Sequence, residues 1–362
     1  MKKILFFARL PHSDKEIMDG EIQRVKIIDS LAIRDKFERN YIHLTFKSFK
    51  NKEYEDDFLP NAMLYSLSII NPFSYKKIIR LIKTNAVVYF HSMHNYKFAF
   101  LFKFWLKKTF TILDFHGIVP EENYFQNNFF KGFFYDFIER LNIKFFDKYV
   151  CVSKSMIDFY KNKYKNLKNE KFELLPMIRE EEKQLNKEEL ILIKKKLNIP
   201  ESYPVIIYSG GSGKWANIEM MVNSIKSCKS EIYFLILSPD TEVFNKLIKK
   251  YEITKNIIIK SVDPNELKKY YSISNYGYLL RDDHPLNNVS NPTKYVEYLK
   301  YGITPIVLSH NTSDLLSQKV DCIKLDSLEF SNLYKKKSKT NIKIFKDFYE
   351  SKKYFFSNLT KP

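Results

Sequence analysis

The chain has little cysteine: Cys151, Cys228 and Cys322 are its only three, and they lie far apart. An odd, scattered set makes neither a disulfide framework nor a cysteine-based metal cluster, and it suits a reducing cytosol. Long apolar runs are missing as well. The opening ILFFA follows Met1–Lys3 like a leader, but Arg9 interrupts it. No stretch approaches the ~18 apolar residues of a membrane span. There is no internal repeat, zinc-finger spacing, RRM signature or basic heptad region. These absences predict a soluble or peripheral cytoplasmic protein that does not bind nucleic acid.

What is abundant is charge and apolar bulk. The 362 residues carry a formal net charge of +18, with 44% hydrophobic and 16% aromatic residues. That length suits two domains, and the apolar content is ample for their cores. The lysines are spread along the chain rather than packed in one block. A basic balance of this kind fits a phosphate-bearing substrate or an anionic membrane surface.

Short apolar runs alternate with helical patterns. Ile4–Ala8, Tyr41–Phe46, Ala86–Phe90, Phe110–Phe115 and Tyr149–Val152 read as strands, and Gly20–Ile33 as a helix. A second series runs through Pro204–Ser209, Ile232–Leu237, Ile257–Lys260, Tyr276–Leu280 and Thr304–Val307. Strand–helix alternation of this kind predicts an α/β protein with mostly parallel sheets. The charged stretch Pro176–Pro200 is the natural connection between two doubly wound units. The expected domains are 1–177 and 178–335, followed by a Lys-rich helical tail, 336–362. Ligands of such sheets bind beyond the carboxyl ends of the strands, so candidate residues are sought there.

The most informative stretch is Ser290–Val307, SNPTKYVEYLKYGITPIV. Asn291 can cap a helix, Pro292 suits its first position, and Gly302 sits where a left-handed stop belongs. The first turn gathers backbone N–H groups, the Thr293 hydroxyl and the Lys294 ammonium into an anion site. Glu297 lies on the same face, about 6 Å further along the axis. A carboxylate there can accept two sugar hydroxyls while the helix start holds a phosphate. A nucleotide fits both.

Other candidates also follow strands. Gly20, before the helix that carries Arg24, lets the backbone approach a ligand. His116 and Gly117 follow Phe110–Phe115, with Glu121 and Glu122 just beyond. His91 and His94 follow the preceding strand and are placed to line an acceptor side. The three residues His91, Asp114 and His116 lack a compact metal-ligand spacing in sequence. After Pro204–Ser209 comes Gly210-Gly211-Ser-Gly-Lys214, a glycine turn suited to phosphate. It is neither a Walker motif nor a G-x-G-x-x-G fingerprint, because Tyr208 and Trp215 stand at the defining positions. Arg281 ends the strand Tyr276–Leu280, and Asp282 and Asp283 follow it. The segments Tyr96–Phe110 and Phe129–Phe146 are rich in aromatics and lysine. Most of those positions read as core-facing, though the composition also matches a peripheral membrane surface.

Pro-Thr-Lys-x-x-Glu-Tyr-Leu-x-x-Gly-x-x-Pro-Ile-Val resembles the nucleotide-sugar-binding helix of retaining GT-B glycosyltransferases. The resemblance implies two Rossmann-like domains facing a cleft, with a C-terminal helix returning to the first. It implies Glu297 on the donor ribose and Lys214, Arg281, Pro292, Thr293 and Lys294 around the donor diphosphate. It further implies donor contacts from Gly20, Gly210 and Gly211, and contact of His116 with the donor sugar. Where the family pattern has a second glutamate, eight residues before Glu297, this chain has Val289. The implied activity is metal-independent transfer from a nucleotide sugar, a UDP-sugar foremost, with no cofactor. The acceptor would be lipid-linked or a saccharide, in the synthesis of a bacterial surface polysaccharide such as capsule or O-antigen. A nucleotide-sugar 2-epimerase of the same fold, or a non-catalytic nucleotide-sugar-binding scaffold, are the rival readings.

Overall fold

The structure is a computed structural model that describes residues 2–11, 16, 19–46, 49–177, 185–254 and 256–360. Part of the loop between Arg9 and Arg24 therefore lies outside the described residues, as do 178–184 of the charged connection. The chain divides into two compact units, Met1–Ile178 with Ser351–Pro362, and Arg179–Glu350. Among the described residues no helix is long and apolar enough to cross a membrane.

The first unit is built on β1 (Lys3–Phe7), β2 (Glu38–Thr45), β3 (Lys52–Tyr54), β4 (Met63–Ser68), β5 (Val87–His91), β6 (Phe110–Phe115), β7 (Lys148–Cys151) and β8 (Phe172–Leu174). Their spatial order is β3-β4-β2-β1-β5-β6-β7-β8, and only β3 runs antiparallel to its neighbour. Neither β3 nor β4 is among the strands expected from the sequence. β3 is a polar edge segment with too little apolar pattern to read. Strands buried on both faces read as continuous apolar runs, and β1 and β5 do so. Ile4, Leu5 and Phe6 have no exposed surface at all.

In the core of this unit Phe6 stacks on Tyr41 with ring centroids 4.6 Å apart. The edge of Phe356, from the helix Phe355–Leu359, meets Phe6 at 6.2 Å. The Ser357 amide also donates to Asp35 at 2.8 Å. The tail expected as one segment from 336 is thus divided. Ser351–Pro362 packs with the first unit, while nearly all of the helix Lys339–Ser351 belongs to the second.

The second unit contains β9 (Val205–Ser209), β10 (Tyr233–Leu237), β11 (Ile257–Lys260), β12 (Tyr276–Leu279), β13 (Thr304–Val307) and β14 (Ile323–Lys324). Its order is β11-β10-β9-β12-β13-β14, all parallel. The strand order reverses beside β9, which makes the loop after it a topological switch point, the usual ligand position in such sheets. In the first unit the reversal falls beside β1.

The helix Thr293–Lys300 starts later than expected, with Pro292 at the N-cap and no side-chain cap. Asn291 therefore lies outside the helix. Gly302 does take the left-handed conformation, φ +63°, and Ile303 donates back to the Tyr298 carbonyl at 2.8 Å. The helix is seated on the sheet by Tyr298, which is wholly buried and donates to the Tyr278 carbonyl at 3.1 Å. Its ring lies so close over Gly277 of β12 that an added Cβ would come within 2.5 Å of Cζ. Gly277→Ala should therefore lower stability by about 1–3 kcal/mol, through overpacking of a rigid ring. The melting temperature checks this, and an unchanged value would mean that the helix shifts freely on its sheet.

Candidate functional site

In the second unit, the loop after β9 departs with Gly210 at φ +142°, a conformation that suits glycine alone. An added Cβ at Gly210 would stand 3.2 Å from Lys294 Nζ, so the glycine also makes room for the ammonium. The loop is braced from two sides. Asp240, after β10, accepts from the Ser212 amide at 2.7 Å and its hydroxyl at 2.8 Å. The Tyr208 hydroxyl donates to the Gly211 carbonyl at 2.6 Å, and its ring lies under Lys294 with Nζ 4.1 Å from the centroid. Beside this loop is a cavity of about 250 Å³ lined by Tyr208, Gly210, Gly211, Trp215, Arg281 and Lys294, among others.

Two cations therefore border one small cavity. Among the described residues neither Arg281 nor Lys294 makes an ion pair; Arg281 donates only to the Asn287 side chain, at 3.3 Å. Burial, with the Arg281 charge adding to it, brings the Lys294 ammonium down to about 7. Burial likewise lowers Arg281 and pushes the Tyr208 phenol up to about 12. Such a pair is costly to keep charged without an anion between or beside it. Pro292 brings no side-chain cap, so the first-turn amides of Thr293 and Lys294 have none of the usual relief. Glu297 is held one turn further, with only 7% of its surface exposed.

Lys214 stands elsewhere. It is exposed at the start of a short 3-10 turn, Lys214–Ala216, and is not part of the cavity wall, which takes Trp215 and Ala216 instead. Of the two lysines expected at the phosphates, Lys294, brought in from the neighbouring helix, lines this cavity and Lys214 does not. Asp282 and Asp283 fasten loops: Asn217 donates to Asp282 at 3.0 Å, and Asn288 and Asn311 each donate to Asp283 at 2.7 Å. Val289 is buried, so this position supplies no carboxylate.

In the first unit the chemistry is concentrated after β5 and β6. Asp114 has no exposed surface and receives a forked pair of bonds from Arg24, Nε at 3.0 Å and Nη2 at 3.1 Å. The third Arg24 nitrogen donates to the Pro176 carbonyl at 2.9 Å. Burial works to raise the Asp114 carboxyl, but the Arg24 charge and the His116 hydrogen bond outweigh it and hold the group far below the usual range. His116 Nε2 lies 3.3 Å from Asp114 Oδ2 and 3.4 Å from His91 Nδ1. With Nε2–H given to Asp114, the other ring nitrogen of His116 is a buried acceptor with no partner among the described residues.

His91 is not an acceptor-side residue. It has no exposed surface, packs against Tyr89 with centroids 4.8 Å apart, and is kept neutral by burial and by the neighbouring His116. His94 is exposed, with Nδ1 3.2 Å from the Tyr135 hydroxyl. Glu121 is tied to Lys163 at 2.8 Å. Glu122 instead folds over Gly117, in space that any larger residue there would take, and burial with the Glu121 charge raises its pKa. Gly20 opens the helix Gly20–Arg34, and an added Cβ there would meet nothing within 4 Å.

The three groups His91, Asp114 and His116 do converge, with ligand atoms all within 4.8 Å of one another. They are the described residues best able to hold a metal ion. Electrostatics weigh against it, because both Asp114 oxygens already serve Arg24 and a dication would sit beside a guanidinium. The arrangement is better suited to orienting imidazoles.

No family model and no curated protein sequence matches this chain. Solved structures do. A sucrose-phosphate synthase from Thermosynechococcus elongatus superposes with a TM-score of 0.69, covering 99% of this chain and 98% of its own, at 12% identity. Anabaena Alr3699/HepE, solved with UDP and glucose, gives 0.68 over 99% of both chains at 10% identity. The apo form of WaaB, a lipopolysaccharide outer core galactosyltransferase, gives 0.65 over 98% of both at 10% identity. The fold these proteins share with this chain is the two-domain GT-B fold of glycosyltransferases. At such identities the likeness establishes architecture, and the activity is argued from the residues.

Arg24→Met should leave the Asp114 carboxylate buried and unpaired, costing about 3–5 kcal/mol. Arg24→Lys should restore little of this, since an ammonium cannot make the fork. Thermal unfolding of the two variants checks the claim. Full stability in Arg24→Met would show that the pair anchors nothing.

Proposed function

We propose that the protein is a glycosyltransferase that moves a sugar from a nucleotide-sugar donor, a UDP-sugar foremost. The observation that carries this reading is the pair Lys294 and Arg281 at the glycine loop, two cations without an anionic partner among the described residues. A donor diphosphate supplies that partner. Held by these cations and the start of the helix Thr293–Lys300, it becomes a stabilised leaving group as the glycosidic bond breaks. Glu297 holds the ribose, and Lys214 is close enough in sequence to the loop to reach the outer phosphate. On the first unit, the partly exposed His116 ring contacts the sugar, with Asp114 and Arg24 fixing its orientation. No step needs a protein nucleophile or a metal, and transfer with retention follows the resemblance of the helix motif. The UDP and UDP-glucose complexes of HepE support the donor class. The lipopolysaccharide outer core named for WaaB supports a lipid-linked or saccharide acceptor, and the basic balance of the chain suits work at the inner face of the cytoplasmic membrane.

A thermal-shift screen against UDP, GDP, CMP, CDP and TDP tests the donor site. One nucleotide at ~100 Kd should add about 2.7 kcal/mol of apparent stability. The shift should vanish in Lys294→Ala and Glu297→Ala. Silence with every nucleotide would favour a non-catalytic scaffold, and sugar interconversion without an acceptor would favour an epimerase.

The state of Lys294 gives a second test. Its free-site value of about 7 means that a bound diphosphate must draw a proton onto it as pH rises. Affinity for UDP-glucose, whose phosphate charge is constant over this range, should be greatest below pH 7. It should then fall by up to about tenfold per pH unit above it, until the raised pKa of the complex is reached. Lys294→Arg should flatten that profile; an equally steep decline in the variant would place the titration on another group.

A further inference from the structure

The helix Phe129–Asn142 is amphipathic the wrong way round for a helix that serves only the core. Its outward stripe is Phe130, Phe133, Phe134, Phe137 and Leu141, spaced along one helical face. Phe130 is 94% exposed and Phe133 71%. The inward face is mixed, with Gly132, Glu139 and Asn142 beside Ile138. Glu139 and Asn142 have no exposed surface, and Gly132 lies against the Tyr124 ring, where an added Cβ would come within 2.6 Å. Glu139 pairs with Lys163 at 2.8 Å and accepts from the Tyr164 hydroxyl at 2.7 Å. Rolling the helix to bury its phenylalanines would strand that carboxylate, so the orientation is fixed. The expectation that most of these aromatics face the core is corrected accordingly.

The stripe continues onto the neighbouring segment. The 3-10 turn Ala99–Phe102 packs beside this helix, and Phe100, Leu101 and Phe104 are exposed there. Exposed apolar side chains on two packed neighbouring elements mark a candidate interaction site. The fully exposed charges of this stretch of chain are of one sign. Lys103, Lys107, Lys108, Lys131 and Lys144 are exposed, whereas no Asp or Glu between residues 97 and 144 is.

We infer that this face docks on an anionic phospholipid bilayer, the phenylalanines entering the headgroup boundary and the lysines meeting lipid phosphates. The charge pattern selects the occupant. A second copy would bring two cationic rims together, whereas an anionic leaflet complements both the rim and the stripe. The inference deepens the placement of the enzyme at the inner membrane face and rests on that part of the proposed function. It does not depend on the donor site.

Sedimentation with vesicles of equimolar phosphatidylglycerol and phosphatidylcholine tests it, with pure phosphatidylcholine vesicles alongside. Wild type should bind the mixed vesicles at low salt and not the neutral ones. Phe130→Ser with Phe134→Ser should weaken binding at least about tenfold, with melting temperature and nucleotide-induced shift unchanged. Lys103→Gln with Lys107→Gln and Lys108→Gln should weaken it too and reduce its salt dependence. Wild type remaining in the supernatant, or the phenylalanine variant binding equally well, would overturn the inference. So would a dimer by light scattering that the phenylalanine variant dissociates, since the face would then belong to a second copy. Failed vesicle binding with an intact nucleotide shift would sink this inference alone and leave the donor reading standing.

Discussion

Asp114 carries a negative charge with no exposed surface, and Arg24 makes that tolerable. The fork between them joins the first helix to β6, and the remaining guanidinium nitrogen ties the carbonyl of Pro176, near the end of the first unit. Everything useful after β5 and β6 depends on this. His116 takes its orientation from the same carboxylate, and His91, buried beneath it, is kept neutral. A buried ion pair is weak evidence of stability by itself, but a satisfied one fixes geometry. Here it fixes the orientation of the His116 imidazole.

The second unit uses the opposite arrangement. At the cavity beside the glycine loop Lys294 and Arg281 are adjacent and make no ion pair among the described residues, and burial with the Arg281 charge lowers Lys294. The Asp114 carboxylate has its counter-charge in Arg24, whereas the Lys294–Arg281 pair has none among the described residues. That asymmetry leaves the Lys294–Arg281 pair open to an anion. It also explains the bracing of the glycine loop by Asp240 and Tyr208: two cations held beside a loose loop would move apart.

The parts legible in sequence are those with local punctuation. Gly302 marks the end of the helix Thr293–Lys300, and Thr304–Val307 is the strand that its apolar run indicates. The glycine loop after β9 was equally readable. The start of the donor helix was not, because a proline at N-cap leaves the same residues in view as a proline one position later. Contacts between distant residues left no trace. Arg24 and Asp114 are 90 positions apart, and nothing local to either says that they pair. The sequence points to both Lys214 and Lys294 without ranking them, whereas the Tyr208 ring and the missing Cβ of Gly210 put Lys294 at the cavity. Phenylalanine-rich runs mislead for a related reason. Composition says that they prefer burial, but Glu139 and Asn142 decide which face of the helix is buried.

The net charge of +18 can be apportioned on the same grounds. A cation contributes to specificity when it is desolvated and lacks a carboxylate, because only then does an anion relieve a standing cost. Lys294 and Arg281 meet that condition. The lysines around the phenylalanine stripe do not, since they are exposed and hydrated. Each of those contributes little alone, and their effect is collective and sensitive to salt. A diffuse excess of lysine can therefore draw the protein towards an anionic leaflet without competing for the phosphates of a donor. The two uses differ in desolvation, so substituting rim lysines leaves the donor site as it is.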